Sequence, residues 1–203
     1  MDDGSTDDSA QVYGESAREL ARRGLELRYV RLRHRGKGSA VRHGVFAAVG
    51  DPIVFLDADL TIPVQIVGDF LRAIDAGADI AIASRYVPGS LVDRPWWRVL
   101  MGIVFRMFVR ALVPTGVNDT QCGGKAYTAE AARDLFSRQR LDGFAFDAEV
   151  LFLARRAGLR VVEIPFALRQ HRVSSVHFLA DAPRMFCDLF LIRLNALRGV
   201  YRT

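Results

Sequence analysis

The sequence predicts an α/β domain in which a mostly parallel sheet is flanked by helices, and three observations point there. Short apolar runs at residues 53–56 and 79–84 read as buried strands, and a helix-period segment over residues 62–77 separates them. Half of the 203 residues are hydrophobic, enough for one domain with a sizeable core. Strands alternating with helices in this way imply a doubly wound sheet.

In chain order, residues 9–23 carry Ala, Leu and Arg at helical spacing behind an Asp/Ser cap and stop at Gly24, which predicts a surface helix. Residues 25–32 alternate Leu25, Leu27 and Tyr29 with Glu26, Arg28 and Arg31, the pattern of a half-exposed strand. The stretch His34-Arg35-Gly36-Lys37-Gly38-Ser39 then opens a helix over about residues 40–49. Residues 118–127 are polar, glycine-bearing and too irregular for a long helix. Gly143 to Glu149 open a helix that ends at Gly158, and residues 161–166 form a last strand. The parsing is one domain over 1–177, with an amphipathic helix at 96–113 inside it, and a C-terminal amphipathic helix over 178–203.

The chemistry concentrates where the first apolar run ends in Asp57-Ala58-Asp59. Strand alternation would place both carboxylates on one side of the strand's carboxyl end, the edge where α/β sheets bind ligands. Two converging carboxylates repel unless a cation lies between them, and their hard oxygens suit magnesium or manganese better than zinc. The plainer alternative is that they end the strand and cap the turn. Glycines before a helix N-terminus, with Arg35, Lys37 and Arg42 nearby, could receive a diphosphate, although neither the Walker spacing nor the dinucleotide fingerprint is present. An ordinary capped helix fits the same letters. Arg85, directly after the strand at 79–84, emerges at the same edge, where it could hold a phosphate bidentately or make a surface salt bridge. Asp147 and Glu149 are two apart, so they diverge if they stand on a helix.

Lysine and arginine outnumber aspartate and glutamate by 28 to 23, a formal net charge of +5, which favours anionic partners: nucleic acid, anionic lipid or a phosphorylated substrate. Over residues 96–113 the sequence is apolar and aromatic apart from Arg98, Arg106 and Arg110, which share an arc of about 120° on a helical wheel. Three charges argue against a spanning helix and fit one lying on a membrane surface, with a core helix edged by arginine as the alternative. The tail over 181–203 repeats the pattern. Nucleic-acid binding is disfavoured, because large aliphatic residues outnumber the polar groups that would reach phosphates and base edges. Cys122 and Cys187 have no zinc spacing and no disulfide framework, so free thiols are expected. The acidic opening is the opposite of a secretory signal, so the expected location is cytoplasmic with peripheral membrane association.

Asp2-Asp3-Gly4-Ser5, Arg35-Gly36-Lys37-Gly38, Asp57-Ala58-Asp59, Ser84-Arg85-Tyr86, Asp119-Thr120-Gln121-Cys122-Gly123 and Phe146-Asp147-Ala148-Glu149 stand in this order along the chain. Together they resemble the family-two glycosyltransferases of GT-A fold, in particular the branch that transfers hexoses to polyprenyl and dolichyl phosphates. The resemblance starts at Asp-Asp-Gly-Ser, so the family's first strand is expected to be lacking. It implies a nucleotide-sugar donor, a polyprenyl phosphate acceptor and a magnesium or manganese ion. It further implies that Asp3 and Lys37 serve the nucleotide-sugar site, that Asp57 and Asp59 hold ribose and metal, and that Arg85 faces phosphate. Arg169 and Ser174 would bind the acceptor phosphate, and Asp147 stands where relatives with hydroxyl acceptors carry a base. A phosphomonoester is already anionic near neutral pH, so a lipid phosphate needs no strong base, which ranks Asp147 below the acidic pair. Glucose from UDP-glucose is the leading donor, with mannose from GDP-mannose and a catalytically inactive membrane-binding domain as the alternatives.

Overall fold

The computed structural model describes residues 1–92, 95–168 and 178–201. The main sheet has four strands, β1 (Ile53–Leu56), β4 (Gly124–Tyr127), β2 (Ile80–Ser84) and β5 (Val161–Pro165), in the spatial order β1-β4-β2-β5. β2 and β5 are parallel, with Ile80 opposite Val161. β4 lies antiparallel between β1 and β2, so β1, β2 and β5 all run one way around a single reversed strand. The mostly parallel sheet expected from the sequence is therefore present with one inserted strand. A short parallel pair, β3 (Leu91–Val92) with β6 (Ala167–Leu168), extends beyond it.

Period-two alternation builds a core on each face of this sheet. Ile80 and Ile82 of β2, Ile53 and Phe55 of β1 and Tyr127 of β4 point to one face, where they meet α2 (Lys37–Ala47), α5 (Ala129–Arg138) and α6 (Phe146–Arg156). Ala81, Ala83, Val54, Leu56 and Ala126 point to the other, under Ile66 and Phe70 of α3 (Ile66–Asp75). β2 is buried at all five positions, as a strand covered on both faces must be. α6 carries Asp147 and Glu149 in its first turn and Arg155 and Arg156 in its last, the polarity its dipole favours.

Three departures from the sequence reading have identifiable causes. Residues 25–32 form no strand. They follow α1 (Ser9–Arg22) and contribute only an isolated parallel bridge, in which Asp2 N donates to Val30 O at 2.9 Å and Leu32 N to Asp2 O at 2.7 Å. One bridging residue cannot make a ladder. The stretch 118–127 hides β4, because Gly-Gly-Lys-Ala-Tyr shows no alternation when Lys125 is itself a buried residue on one face. α5 arises from residues left unassigned; the Thr128 hydroxyl caps it by accepting from Ala131 N at 3.2 Å.

The two basic-aromatic helices, α4 (Trp96–Leu112) and α7 (Phe178–Leu197), pack on one another. Phe186 stands edge-on to Phe108 at 4.9 Å and to Phe105 at 5.6 Å. Val109, Val113, Leu189, Ile192 and Tyr201 join the same core as α6, so α7 is continuous with the domain in packing. Glu149, fully buried, fastens the end of the chain: its carboxylate accepts from the backbone N–H groups of Arg140 and Leu141 and from the Tyr201 hydroxyl at 2.6 Å. Burial pushes the Glu149 carboxyl up from its ordinary value, while these donors pull it down. Tyr201→Phe removes one charge-assisted bond and is expected to cost about 1–3 kcal/mol of stability. Urea unfolding at unchanged m-value checks this; an unaltered midpoint would show that Tyr201 contributes packing alone.

Candidate active site

β1 stops at Leu56, so Asp57-Ala58-Asp59-Leu60 is a turn and not the last residues of a strand. The expected alternation does not reach these carboxylates, and the turn places them separately. Asp57 N donates to Gly123 O at 2.9 Å, and Leu60 N to Asp57 O at 3.0 Å, with Leu60 at φ +49°. Asp57 Oδ1 lies 2.8 Å from Lys37 Nζ. Asp59 sits on the exposed side of the turn and accepts from Thr61 N at 3.0 Å.

Lys37 reaches Asp57 because the loop before α2 is clamped. Asp3 accepts from the backbone N–H of Arg35 at 3.0 Å and of Gly36 at 2.8 Å. Arg35 pairs with Asp142 at 2.7 Å, whose carbonyl accepts from Ser39 N. Gly36 has φ +125°, and a Cβ there would lie 2.6 Å from Asp142 O, so this approach of two loops needs glycine. Asp3, expected at the nucleotide, here orders the loop. The N–H groups of Lys37 and Gly38 donate to nothing among the described residues, which leaves the helix N-terminus open for an anion.

Behind Lys37 lies a second, buried pair. Lys125 Nζ is 2.6 Å from Asp147 Oδ1 and donates to Cys122 O at 2.6 Å, with side chains 0% and 2% exposed. Desolvation pushes the Asp147 carboxyl up, against the pull of Lys125 and then Lys37. Burial opposes the Lys37 charge, but the carboxylates of Asp147 and Asp57 outweigh it and raise its pKa. The result is an alternating series, Asp57, Lys37, Asp147, Lys125, running from solvent into the sheet. Asp147 and Glu149 do stand on the first turn of α6 and diverge, one to Lys125 and the other to Tyr201. Burial pushes the Cys122 thiol up to about 12, which disfavours its thiolate.

Arg85 makes the ion pair that stood as the alternative to a phosphate contact, although with a buried carboxylate and not at the surface. Its fork is closed on Asp119, with Nε 2.6 Å from Oδ2 and Nη2 2.7 Å from Oδ1, and its backbone N–H also donates to Oδ2. Asp119 is 1% exposed, and a carboxylate buried to that degree needs a cation in contact, so it takes the bidentate face that a phosphate would have used. Arg169 and Ser174 lie outside the described residues. Lys125 and Glu163, which accepts from Asn118 N and Asp119 N, are site-shaping residues that the sequence reading did not single out, and Asp119 stood there only as part of a motif, with no role assigned. For Lys125 and Glu163 the signal was an ionisable residue between glycine or apolar neighbours.

The donor set suits a hard divalent cation. Asp57 and Asp59 would offer hard carboxylate oxygens, which fit magnesium or manganese better than zinc, with phosphate oxygens and water free to complete the shell.

Gly123→Ala would place a Cβ 1.9 Å from Asp57 Oδ2, and is expected to expel that carboxylate from Lys37 at a cost of about 1–3 kcal/mol. In a double-mutant cycle by urea unfolding, Asp57→Ala should recover most of the loss; additive costs would place the strain in the backbone instead. Asp119 is subject to desolvation, which raises its pKa, but Arg85 overrides this and leaves it depressed below the ordinary 3.8. Its contribution to stability is therefore complete above that value and lost as pH falls below it. Asp119→Asn should be less stable at neutral pH and show a shallower acid limb in denaturation midpoint against pH; an acid limb as steep as the parent's would exclude the pair as its source.

Residues 1–136 match the family described as "Glycosyl transferase family 2". The dolichyl-phosphate beta-glucosyltransferase of Dictyostelium discoideum is 29% identical over 209 residues, covering 100% of this chain and 64% of that protein. The polyprenol monophosphomannose synthase of Mycolicibacterium smegmatis is 32% identical over 123 residues, 60% of this chain and 46% of that protein. Among solved structures, glucosyl-3-phosphoglycerate synthase from Mycobacterium tuberculosis, crystallised with Mn2+, uridine-diphosphate and glucosyl-3-phosphoglycerate, superposes with TM-score 0.65 at 25% identity, over 96% of this chain and 66% of that one. The chain thus spans about two thirds of the length of the relatives that it matches end to end. With a GT-A-like mixed sheet, an acidic turn at its edge and a family match across most of its length, the chain belongs to glycosyltransferase family 2.

Proposed function

We propose that this chain carries the catalytic machinery of an inverting, metal-dependent hexosyltransferase acting on a polyprenyl phosphate, with UDP-glucose as donor. The observation that carries this reading is the cluster at the end of β1, where Asp57, Lys37 and the open N-terminus of α2 adjoin the exposed Asp59. Lys37 and the N–H groups of Lys37 and Gly38 can receive a diphosphate, and Asp57 and Asp59 are the residues that would hold magnesium or manganese. When bound, that ion neutralises charge on the departing diphosphate.

In the reaction, an oxygen of the acceptor phosphomonoester forms a bond to the anomeric carbon as the bond from that carbon to the diphosphate oxygen breaks. Attack opposite the leaving group inverts the centre, and the nucleoside diphosphate departs. The acceptor oxygen is already anionic, so no base need remove a proton. Asp147, sealed against Lys125, then acts by positioning: together they fix the Cys122 carbonyl and the Gly123 backbone against which Asp57 rests. Arg85 likewise acts through Asp119 by holding the 118–123 loop.

The acceptor's site and a membrane surface fit the helix pair α4/α7. Trp96, Trp97, Leu100, Met107 and Phe108 on one helix and Phe190, Leu191, Leu194 and Leu197 on the other remain exposed, beside Arg110 and Arg193. Such a face suits the interfacial zone of an anionic bilayer, here read as the cytoplasmic face. No helix among the described residues is long and apolar enough to cross a membrane. The similarity to a polyprenol monophosphomannose synthase favours one second reading, the same transfer from GDP-mannose.

Labelled glucose and mannose transfer from UDP-glucose and GDP-mannose to a polyprenyl phosphate, with and without EDTA, tests both. The expected result is EDTA-sensitive glucose transfer that falls at least about a hundredfold in Asp59→Ala, the scale of losing a transition-state charge stabiliser. Mannose transfer would select the second reading, and no transfer from either donor would overturn both.

A further inference from the structure

At the opposite end of α6 from Asp147, a groove of about 240 Å³ opens between the C-terminus of α4 and the loop that follows it. Arg110, Thr115, Gly116, Val117, Asn118 and Arg155 line it. Asp147 and Arg155 are eight residues apart on one helix, about 12 Å along its axis, so the groove is separate from the acidic turn and from Lys37.

Its side-chain charge is positive, set against the partially negative C-terminal ends of α4 and α6 at which the two arginines stand. Two guanidinium groups line it, and no Asp or Glu does. Arg155 is exposed, and its side chain makes no hydrogen bond or ion pair among the described residues. Thr115 is 5% exposed, and its hydroxyl donates to nothing among the described residues. The backbone N–H groups of Thr115, Gly116 and Val117 are likewise without acceptors there, and Gly116 stands at φ +82°. Successive N–H groups around a left-handed residue can turn toward one anion, and the two guanidiniums lining the groove supply the charge.

We infer that this groove binds a phosphate-class anion at a second site, distinct from the one at the acidic turn. The inference rests on the groove's own residues and not on the reaction proposed above. An occupant would also meet Arg110, which at present donates to Asn118 Oδ1 at 2.8 Å. Asn118 and Asp119 are both held by Glu163, and Asp119 holds Arg85, so the groove is wired by three short contacts to the loop that shapes the active site.

Calorimetric titration of the full chain with inorganic phosphate and with pyrophosphate tests the site. Saturable binding with a component of the groove's own is expected, that component about tenfold weaker in Arg155→Ala and lost in the Arg110→Ala/Arg155→Ala pair, on the scale of one charge-assisted contact per arginine. Lys37→Ala, which disables the other basic position, should leave a saturable phosphate component intact. Arg155 is exposed, so thermal unfolding of Arg155→Ala should match the parent and certify the comparison. Phosphatidylcholine vesicles with and without phosphatidic acid separate the two sources of the phosphate. Vesicle retention that depends on the arginine pair assigns the groove to lipid headgroups; soluble-phosphate binding that depends on the pair without such retention assigns it to a free phosphate. If neither depends on the pair, or if phosphate binding disappears in Lys37→Ala alone, the inference fails.

Discussion

Lys125 and Asp147 meet at 2.6 Å with almost no solvent, and the rest of the site is arranged around that contact. Either charge left alone at this depth would cost several kcal/mol in lost hydration, so the two are stable only together and only where further polar groups complete them. Lys125 finds the Cys122 carbonyl and stands over the Phe55 ring at 5.4 Å; Asp147 feels Lys37 as well. The pair joins a strand to the first turn of a helix. In doing so it pins residues 122–124, and the missing side chain of Gly123 leaves room for the Asp57 carboxylate. A structural ion pair thus sets the position of a chemically exposed one.

The same logic recurs in the loop over residues 118–123. Glu163, on β5, accepts from Asn118 and Asp119, and Asp119 takes the Arg85 fork. Each carboxylate there is occupied by backbone N–H groups or a guanidinium, which fixes a segment that has no regular structure of its own. A loop held by side chains from two strands is rigid enough to position ligands, yet each contact is a point at which an anion at Arg110 could make itself felt. The clamp formed by Asp3, Arg35 and Asp142 performs the same service for the loop before α2.

The α4/α7 pair shows how one amphipathic surface serves two ends. Phe105, Phe186, Val109, Leu189 and Ile192 face inward and tie both helices to the core. The tryptophans and the outer leucines remain exposed. The two helices pack on one another, and each has an apolar arc broad enough to leave an outer face exposed as well.

Local patterns in the sequence determined most of the scaffold. β1, β2, β5 and α4 lie within a few residues of where periodicity puts them, because a strand buried on both faces or a long apolar helix leaves a continuous signal. The glycines at 36 and 38, the acidic turn and the phenylalanine-aspartate start of α6 were legible as a family likeness for the same reason: each is short and contiguous. Only the tertiary structure decided what these residues touch. β4 was hidden because its centre is a lysine, and a lysine reads as polar until Asp147, 22 residues away, neutralises it inside the sheet. Arg85 read as a phosphate ligand or one half of a salt bridge, and only the fold names Asp119, 34 residues on, as its partner. Residues 25–32 read as a strand, yet a ladder requires a partner along its length and they meet only Asp2. Period and composition are properties of a segment, whereas charge compensation and strand pairing belong to pairs of segments that only the fold brings together.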